Sequence, residues 1–140
     1  MKILIIEDDS FKLKDVKTEL SRIIPGVEID SGASYSSGLR KALQEKYEVV
    51  IIDNSLPRYD AQPYDIQPDM APLILEEMEE YLPEAKGIIC SQYDTGEKEI
   101  FFSNITRNYE NCIGFVRYDS IDDSWRKELF NLIHQHIIKP

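Results

Sequence analysis

The sequence predicts an α/β fold, a doubly wound five-stranded parallel sheet with helices on both faces. Strand-like and helix-like segments alternate five times along the 140 residues, which is the order that βαβ units require. Residues 49–52 are a continuous run of β-branched side chains, as expected for a central strand buried on both faces. The length suits one domain, so residues 1–140 should form a single domain without a separate output domain.

The first half of the chain supplies three strands and two helices. Residues 2–6 are a short apolar run, and apolar residues then recur at helical spacing as far as Pro25. Residues 27–30 alternate apolar and acidic side chains, which predicts a half-exposed strand at a sheet edge. A helix with one apolar face over residues 35–43 leads into the central strand.

The second half supplies two strands and three helices. A helix is expected to start near the proline at 72 and to end at the proline at 83. Residues 87–90 and 113–116 are the apolar fourth and fifth strands. A capping pattern at residues 94–97 precedes the fourth helix, and an amphipathic helix that continues to Ile137 closes the pattern.

Acidic residues follow two of the predicted strands. Glu7 and Asp8 come directly after the first strand, and Asp53 comes directly after the central strand. Each acid alone could equally well cap a helix or turn. Neighbouring strand ends, however, would bring the carboxylates within a few ångströms of one another, where they repel unless a cation lies among them. Such an oxygen-rich cluster suits Mg²⁺.

At these residues the sequence resembles the receiver domain of two-component response regulators. The matching segments are KILIIEDD at 2–9, IIDNSLP at 51–57, GIICS at 87–91 and GFVRY at 114–118. The resemblance covers nearly the whole chain and implies the strand order 2-1-3-4-5.

The resemblance also implies a reaction at Asp53. This residue would accept a phosphoryl group from a histidine kinase or phosphotransfer protein. Glu7 and Asp8 would be the acidic pair that holds Mg²⁺, and Asp53 with the backbone carbonyl of Ser55 would complete the protein's ligands. Beyond self-phosphorylation from a phosphodonor and slow autodephosphorylation, no enzymatic activity is expected.

Two switch residues and one cation complete the site that the resemblance implies. Ser91 would be the hydroxyl that binds the phosphoryl group, and Phe115 would be the switch aromatic. Receivers normally carry lysine and then proline after the fifth strand, and this chain has neither. Counting from Phe115 places Tyr118 at the lysine position, whereas a strand one residue shorter places Arg117 there. We favour Arg117, because guanidinium groups bind phosphate well.

Residues 58–69 depart from the receiver pattern. Receivers turn quickly into the third helix at this point, whereas this segment has two prolines and no glycine, which predicts a semi-rigid extended loop. One hypothesis is that this insert covers or flanks Asp53 and selects the kinase or contacts the output partner. The alternative is a surface loop without function, since such loops cost little entropy.

Charge and hydropathy limit the partners. With 16 basic and 26 acidic residues, the net charge of −10 disfavours direct binding to nucleic acid or to anionic membranes. No apolar run is long enough to cross a membrane, so a cytoplasmic protein is expected. Cys90 and Cys112 fall in or beside apolar strands and are interpreted as buried free thiols.

The leading functional prediction is a stand-alone phosphorylation switch. It would signal to a protein partner through the surface of the fourth helix, fifth strand and fifth helix, and a homodimer is a further partner to test. The alternative is a pseudo-receiver that acts as an interaction or dimerisation module without phosphorylation. The missing lysine, the insert and the long side chain of Gln92, where receivers carry a small residue, favour this alternative.

Overall fold

A five-stranded parallel sheet forms the centre of the protein in a computed structural model, which describes residues 1–92 and 97–138 and only the backbone of residues 97–99. Its strands are β1 (Lys2–Ile6), β2 (Glu28–Gly32), β3 (Val49–Ile52), β6 (Lys86–Ser91) and β7 (Cys112–Arg117). They are parallel and lie in the order β2-β1-β3-β6-β7. The predicted fold and strand order are therefore confirmed, and β2 lies at an edge as expected.

Helices cover both faces of this sheet. They are α1 (Ser10–Ile23), α2 (Tyr35–Gln44), α3 (Met70–Tyr81), α4 (Glu97–Asn108) and α5 (Ser124–Ile133). Alternate strand residues point to opposite faces, so Val50 and Ile52 pack with α2, α3 and α4, whereas Val49 and Ile51 pack with α1 and α5. All four residues of β3 are buried, as predicted for a central strand. In the described part of the chain, no helix combines the length and the apolar character needed to cross a membrane.

A short β-hairpin that was not predicted pairs the residues just before the insert with residues inside it. Strands β4 (Leu56–Pro57) and β5 (Ile66–Gln67) pair antiparallel in a separate two-stranded sheet. The first residues of the insert are attached to α2, since the Ser36 N–H donates to the Arg58 carbonyl at 3.0 Å. The Ser37 hydroxyl donates to the Asp60 carboxylate at 2.8 Å. These bonds hold the start of the insert against α2.

Helix boundaries differ from the prediction at two places. Helix α3 begins at Met70 instead of near Pro72, because the carbonyl of Asn54 accepts the Met70 N–H at 2.9 Å. The closing helix is α-helical only to Ile133 and continues as a π-helical turn over His134–Ile138. The predicted cap at residues 94–97 lies largely outside the described residues.

Helix α1 is tied to α5 by a charged network. The Arg126 guanidinium donates to the Asp15 carboxylate at 2.8 Å and to the Glu19 carboxylate at 3.1 Å. Tyr118 is the first residue after β7, and its hydroxyl donates to the second oxygen of Asp15 at 2.9 Å. Glu19 is buried and also pairs with Arg22. This network fixes the position of α1 over one face of the sheet.

The contact between β2 and α2 gives a first prediction. A Cβ atom on Gly32 would lie 2.7 Å from the Cα of Gly38, which is backbone and cannot rotate away. We expect Gly32→Ala to lower the free energy of unfolding by about 1–3 kcal/mol, the usual cost of overpacking. Urea denaturation would measure it, with Ser31→Ala in the same strand as the control. Equal stability of the two variants would contradict the close approach.

The network around Glu19 gives a prediction on pH. Hydrogen bonds from Arg22 first, and then from Arg126, lower the pKa of the Glu19 carboxyl below its ordinary value of 4.5. A lowered folded-state pKa stabilises the protein above pH 4.5, and this stabilisation is lost as the pH falls further. The stability difference between wild type and Glu19→Gln should therefore shrink on acidification. Urea denaturation at several pH values checks this, and a difference that does not change with pH would contradict it.

Candidate functional site: a carboxylate cluster at the sheet edge

Three carboxylates meet at the carboxyl edge of the sheet. Strands β1 and β3 are neighbours in register, with Ile6 opposite Ile52, so the residues that follow them lie side by side. The Asp53 N–H donates to the Ile6 carbonyl at 3.1 Å and continues this pairing. Glu7, Asp8 and Asp53 each offer an oxygen within 4.8 Å of the other two.

The cluster runs from the protein interior to solvent. Glu7 is buried, the side chain of Asp53 is 12% exposed, and Asp8 lies at the surface. The Ser91 hydroxyl, at the end of β6, donates to Asp53 Oδ1 at 2.9 Å. Asp53 is thus held in place from two neighbouring strands and still reaches solvent, which is the arrangement that a reactive carboxylate needs.

A buried lysine that was not predicted completes the site. Lys12, in the first turn of α1, has a side chain that is only 4% exposed. Its ammonium lies 2.7 Å from Glu7 Oε1 and 3.5 Å from Asp53 Oδ1. It also donates to the Cys90 carbonyl at 2.6 Å. Within the described part of the chain, Lys12 is the cation that forms an ion pair with Asp53.

The electrostatics of the cluster follow from burial and like charge. Burial raises the pKa of Glu7 to about 8, and the charge of Asp53 adds to this although the Lys12 ammonium opposes it. Burial also raises the pKa of Asp8, as does the charge of Asp53. Burial lowers the pKa of Lys12, but the field of Cys90, Asp53 and Glu7 raises it above its ordinary value. The lysine is therefore charged, whereas burial and the charge of Asp53 favour the protonated form of Glu7.

The strand pairing bears on the choice between Arg117 and Tyr118. The irregularity between β6 and β7 lies at Gly87 and Ile88, before Phe115, and the register from Phe115 to Arg117 is continuous. Tyr118 therefore remains the third residue after the aromatic. The Arg117 side chain is 45% exposed, and its guanidinium lies 4.0 Å from the Asp119 carboxylate. Which of the two residues matches the receiver lysine therefore stays a prediction.

Tyr118, the first residue after β7, supplies no positive charge to the site. Its side chain is buried, and its ring lies 5.6 Å from the Lys12 ammonium in a cation–π contact. Its hydroxyl is bonded to Asp15, so the ring supports Lys12 from below while the polar end contacts α1.

Phe115 lies on the other face of the sheet. It is half-buried and stacks on Phe102 of α4, with ring centroids 5.7 Å apart. Its neighbour across the strands is Ile89, two residues before Ser91. The two predicted switch residues are thus close along the pair β6–β7, with Phe115 at the α4 surface.

The carboxylate cluster fits a divalent cation. Carboxylate oxygens are the donors that Mg²⁺ prefers, and this ion usually keeps several waters, as the exposure at Asp8 would permit. Ser55 follows in the exposed loop, and its N–H lies 3.5 Å from Asp53 Oδ1. Glu7, Asp8 and Asp53 could therefore hold such an ion beside Lys12.

One sequence signal could have revealed Lys12. It lies four residues before Val16 and eight before Leu20, so helical spacing places it on the buried stripe of α1. A lysine on an apolar stripe needs a buried anionic partner, and Glu7 and Asp53 were already expected at the nearby sheet edge.

Comparison with known proteins supports the fold. No protein-family model matches the sequence, and no curated protein matches it. Among solved structures, a response regulator receiver domain protein from Clostridium thermocellum is 24% identical, with a TM-score of 0.67 over 98% of this chain and 94% of that one. A CheY-like receiver domain protein from Methanospirillum hungatei is 22% identical, with a TM-score of 0.65 over 99% and 98% of the two chains.

A further similar structure was solved with a ligand. A response regulator from Thermotoga maritima, in complex with Mg²⁺-BeF, is 19% identical, with a TM-score of 0.65 over 94% of this chain and 97% of that one. At these identities the likeness establishes the fold. The chain has the receiver-domain fold over nearly its whole length, as the resemblance predicted.

The buried ion pair predicts a large effect on stability. Lys12→Met would leave Glu7 and Asp53 without their cation, and we expect the free energy of unfolding to fall by about 3 kcal/mol. This is the low end for a broken buried pair, because Glu7 can take up a proton instead. Denaturation at neutral pH in EDTA would measure the change.

The matched control is Lys14→Met, two residues away on the exposed side of α1. It removes the same charge and should change stability by less than about 0.5 kcal/mol. A loss no larger in Lys12→Met than in this control would contradict the interpretation.

Proposed function

We propose that this protein is a phosphorylation-activated signalling switch in which Asp53 accepts a phosphoryl group from a histidine kinase or phosphotransfer protein. The observation that carries the proposal is the convergence of Glu7, Asp8 and Ser91 on a partly exposed Asp53. The receiver fold places this convergence at the carboxyl edge of the sheet, where open α/β sheets bind their ligands.

The chemistry at Asp53 is a phosphoryl transfer. One carboxylate oxygen forms a bond to phosphorus, the bond from phosphorus to the donor histidine nitrogen breaks, and that nitrogen keeps the electron pair. The Ser91 hydroxyl already donates to Asp53 Oδ1 at 2.9 Å, so it is in position to donate to a phosphoryl oxygen on that carboxylate. The side chain of Asp53 is 12% exposed, so a donor can reach it from solvent.

A metal ion would have a defined place in this reaction. Mg²⁺ held by Glu7, Asp8, Asp53 and the Ser55 carbonyl would neutralise charge on the phosphoryl oxygens. The residues themselves orient the acceptor and restrict its motion through the bonds from Ser91 and from the Asp53 backbone.

The signal would leave through a protein partner. An acyl phosphate on Asp53 competes for the Ser91 hydroxyl, and a movement of Ser91 would reach Phe115 along the neighbouring strand. Phe115 stacks on Phe102, so the surface of α4, β7 and α5 would change with it. We propose this surface as the contact for the output partner or for a second copy of the chain.

A second candidate is a phosphorylation-independent interaction module. The observation that favours it is the Lys12 ammonium, which already pairs with Glu7 and Asp53 and partly balances the cluster without a metal ion. The protein could then keep its structure, and its partner surface, without being phosphorylated.

Intact mass after incubation with acetyl phosphate and Mg²⁺ separates the two candidates. A switch should gain the mass of one phosphoryl group, the gain should disappear in Asp53→Asn, and EDTA should prevent it. Asp65→Asn is the control, because it removes an exposed acid from the insert and should leave the gain intact. No gain in wild type at millimolar acetyl phosphate would reject the switch and favour the interaction module.

A further inference from the structure

The receiver pattern predicts a positive charge after the last strand of the sheet. In this protein the positive charge at the carboxylate cluster comes from helix α1 instead. The position after β7 holds Tyr118, whose ring is neutral and whose hydroxyl is bonded to Asp15. The buried ammonium at the carboxylate cluster instead belongs to Lys12, in the first turn of the first helix. The cluster therefore has a cation, supplied from a different element of the fold.

We propose that Lys12 is the residue that binds the phosphoryl group on Asp53, in place of a lysine after the fifth strand of the sheet. The inference rests on the proposed function, since it assigns a role in the same reaction. It replaces Arg117, which the sequence favoured for this role.

The contacts of Lys12 leave one donor for this task. An ammonium has three N–H groups. Two have short partners, the Cys90 carbonyl at 2.6 Å and Glu7 Oε1 at 2.7 Å. Asp53 Oδ1 lies farther from the ammonium nitrogen, at 3.5 Å. This distance is typical of an ion pair and is too long for a strong hydrogen bond. A phosphoryl group bonded to Asp53 adds oxygens in this space, and the third N–H can bond to one of them.

The surroundings of Lys12 hold it ready for this bond. Its side chain is almost fully buried, so little side-chain entropy remains to be lost when a ligand binds. The Tyr118 ring lies against the ammonium, and α1 is fixed to α5 through Asp15, Glu19 and Arg126. By strand alternation, Arg117 lies on the face of Phe115, opposite the face that α1 covers.

Binding of beryllium fluoride, a phosphoryl mimic, tests the proposal without turnover. In wild type with saturating Mg²⁺, calorimetry should detect BeF₃⁻ binding. Lys12→Met should weaken this binding about 10- to 100-fold, the loss expected for one charge-assisted hydrogen bond. Affinity for Mg²⁺ alone should instead rise, because a competing cation has been removed from Glu7 and Asp53. A purely structural lysine would weaken both ligands or neither.

Three further variants complete the experiment. Lys14→Met should bind both ligands as wild type does. Adding Tyr118→Lys to Lys12→Met should restore at least part of the BeF₃⁻ affinity, because residue 118 lies beside the same ammonium position. Arg117→Met should retain the affinity of wild type. A loss in Arg117→Met with none in Lys12→Met would overturn the proposal and assign the role to Arg117.

A crystal structure of wild type with Mg²⁺ and BeF₃⁻ covers the case in which Lys12→Met does not fold. The Lys12 ammonium should lie within about 3.2 Å of a fluorine atom, a hydrogen-bond distance. A distance beyond about 4 Å would overturn the proposal. Absence of BeF₃⁻ binding in wild type would instead reject the proposed function, so the two failures are distinguishable.

Discussion

Repulsion among the carboxylates at one edge of the sheet is the constraint on which this site depends. Because β1 pairs in parallel with β3, with Ile6 opposite Ile52, Glu7 lies beside Asp53. At such separations two negative charges in a partly dry environment are strongly unfavourable. Two features lower this cost: the raised pKa of Glu7, and one buried ammonium that lies against both acids and a backbone carbonyl of β6. The core can therefore close over Glu7.

The origin of that ammonium explains several other contacts. A lysine on α1 can reach the cluster only if the first turn of the helix is held close to the sheet edge. Asp9 caps this turn by accepting the N–H groups of Phe11 and Lys12. Farther along, Arg126 joins α1 to α5, and Tyr118 fills the space beneath the ammonium. These contacts together hold the Lys12 ammonium at the carboxylate cluster.

The sequence was sufficient where the pattern is local. Runs of β-branched residues and helical spacing predicted the strands, the resemblance to receivers implied their order, and acids directly after two strands predicted that Glu7 and Asp53 would meet. The choice between Arg117 and Tyr118 is not local and stays a prediction, because it depends on the length of the strand end compared with other receivers. Lys12 required knowledge of how α1 packs, which a helical pattern alone does not give.

The hairpin in the insert and the π-helical turn were missed for a related reason. Prolines limit the backbone to extended conformations but do not say which partner it pairs with, so the antiparallel pairing of Pro57 with Ile66 could not be foreseen. Over a single turn, apolar spacing differs little between α and π geometry, and the change at His134 leaves no mark in the pattern.

Placing the cation on α1 connects Asp53 to both layers of helices. Ser91 and the strand beside it lead to Phe115 and α4 on one face. Lys12 leads to α1 on the other face, and from there through Asp15 to Arg126 on α5. One carboxylate is thus linked by short chains of contacts to helices on opposite sides of the molecule, through a strand on one side and through a helix on the other.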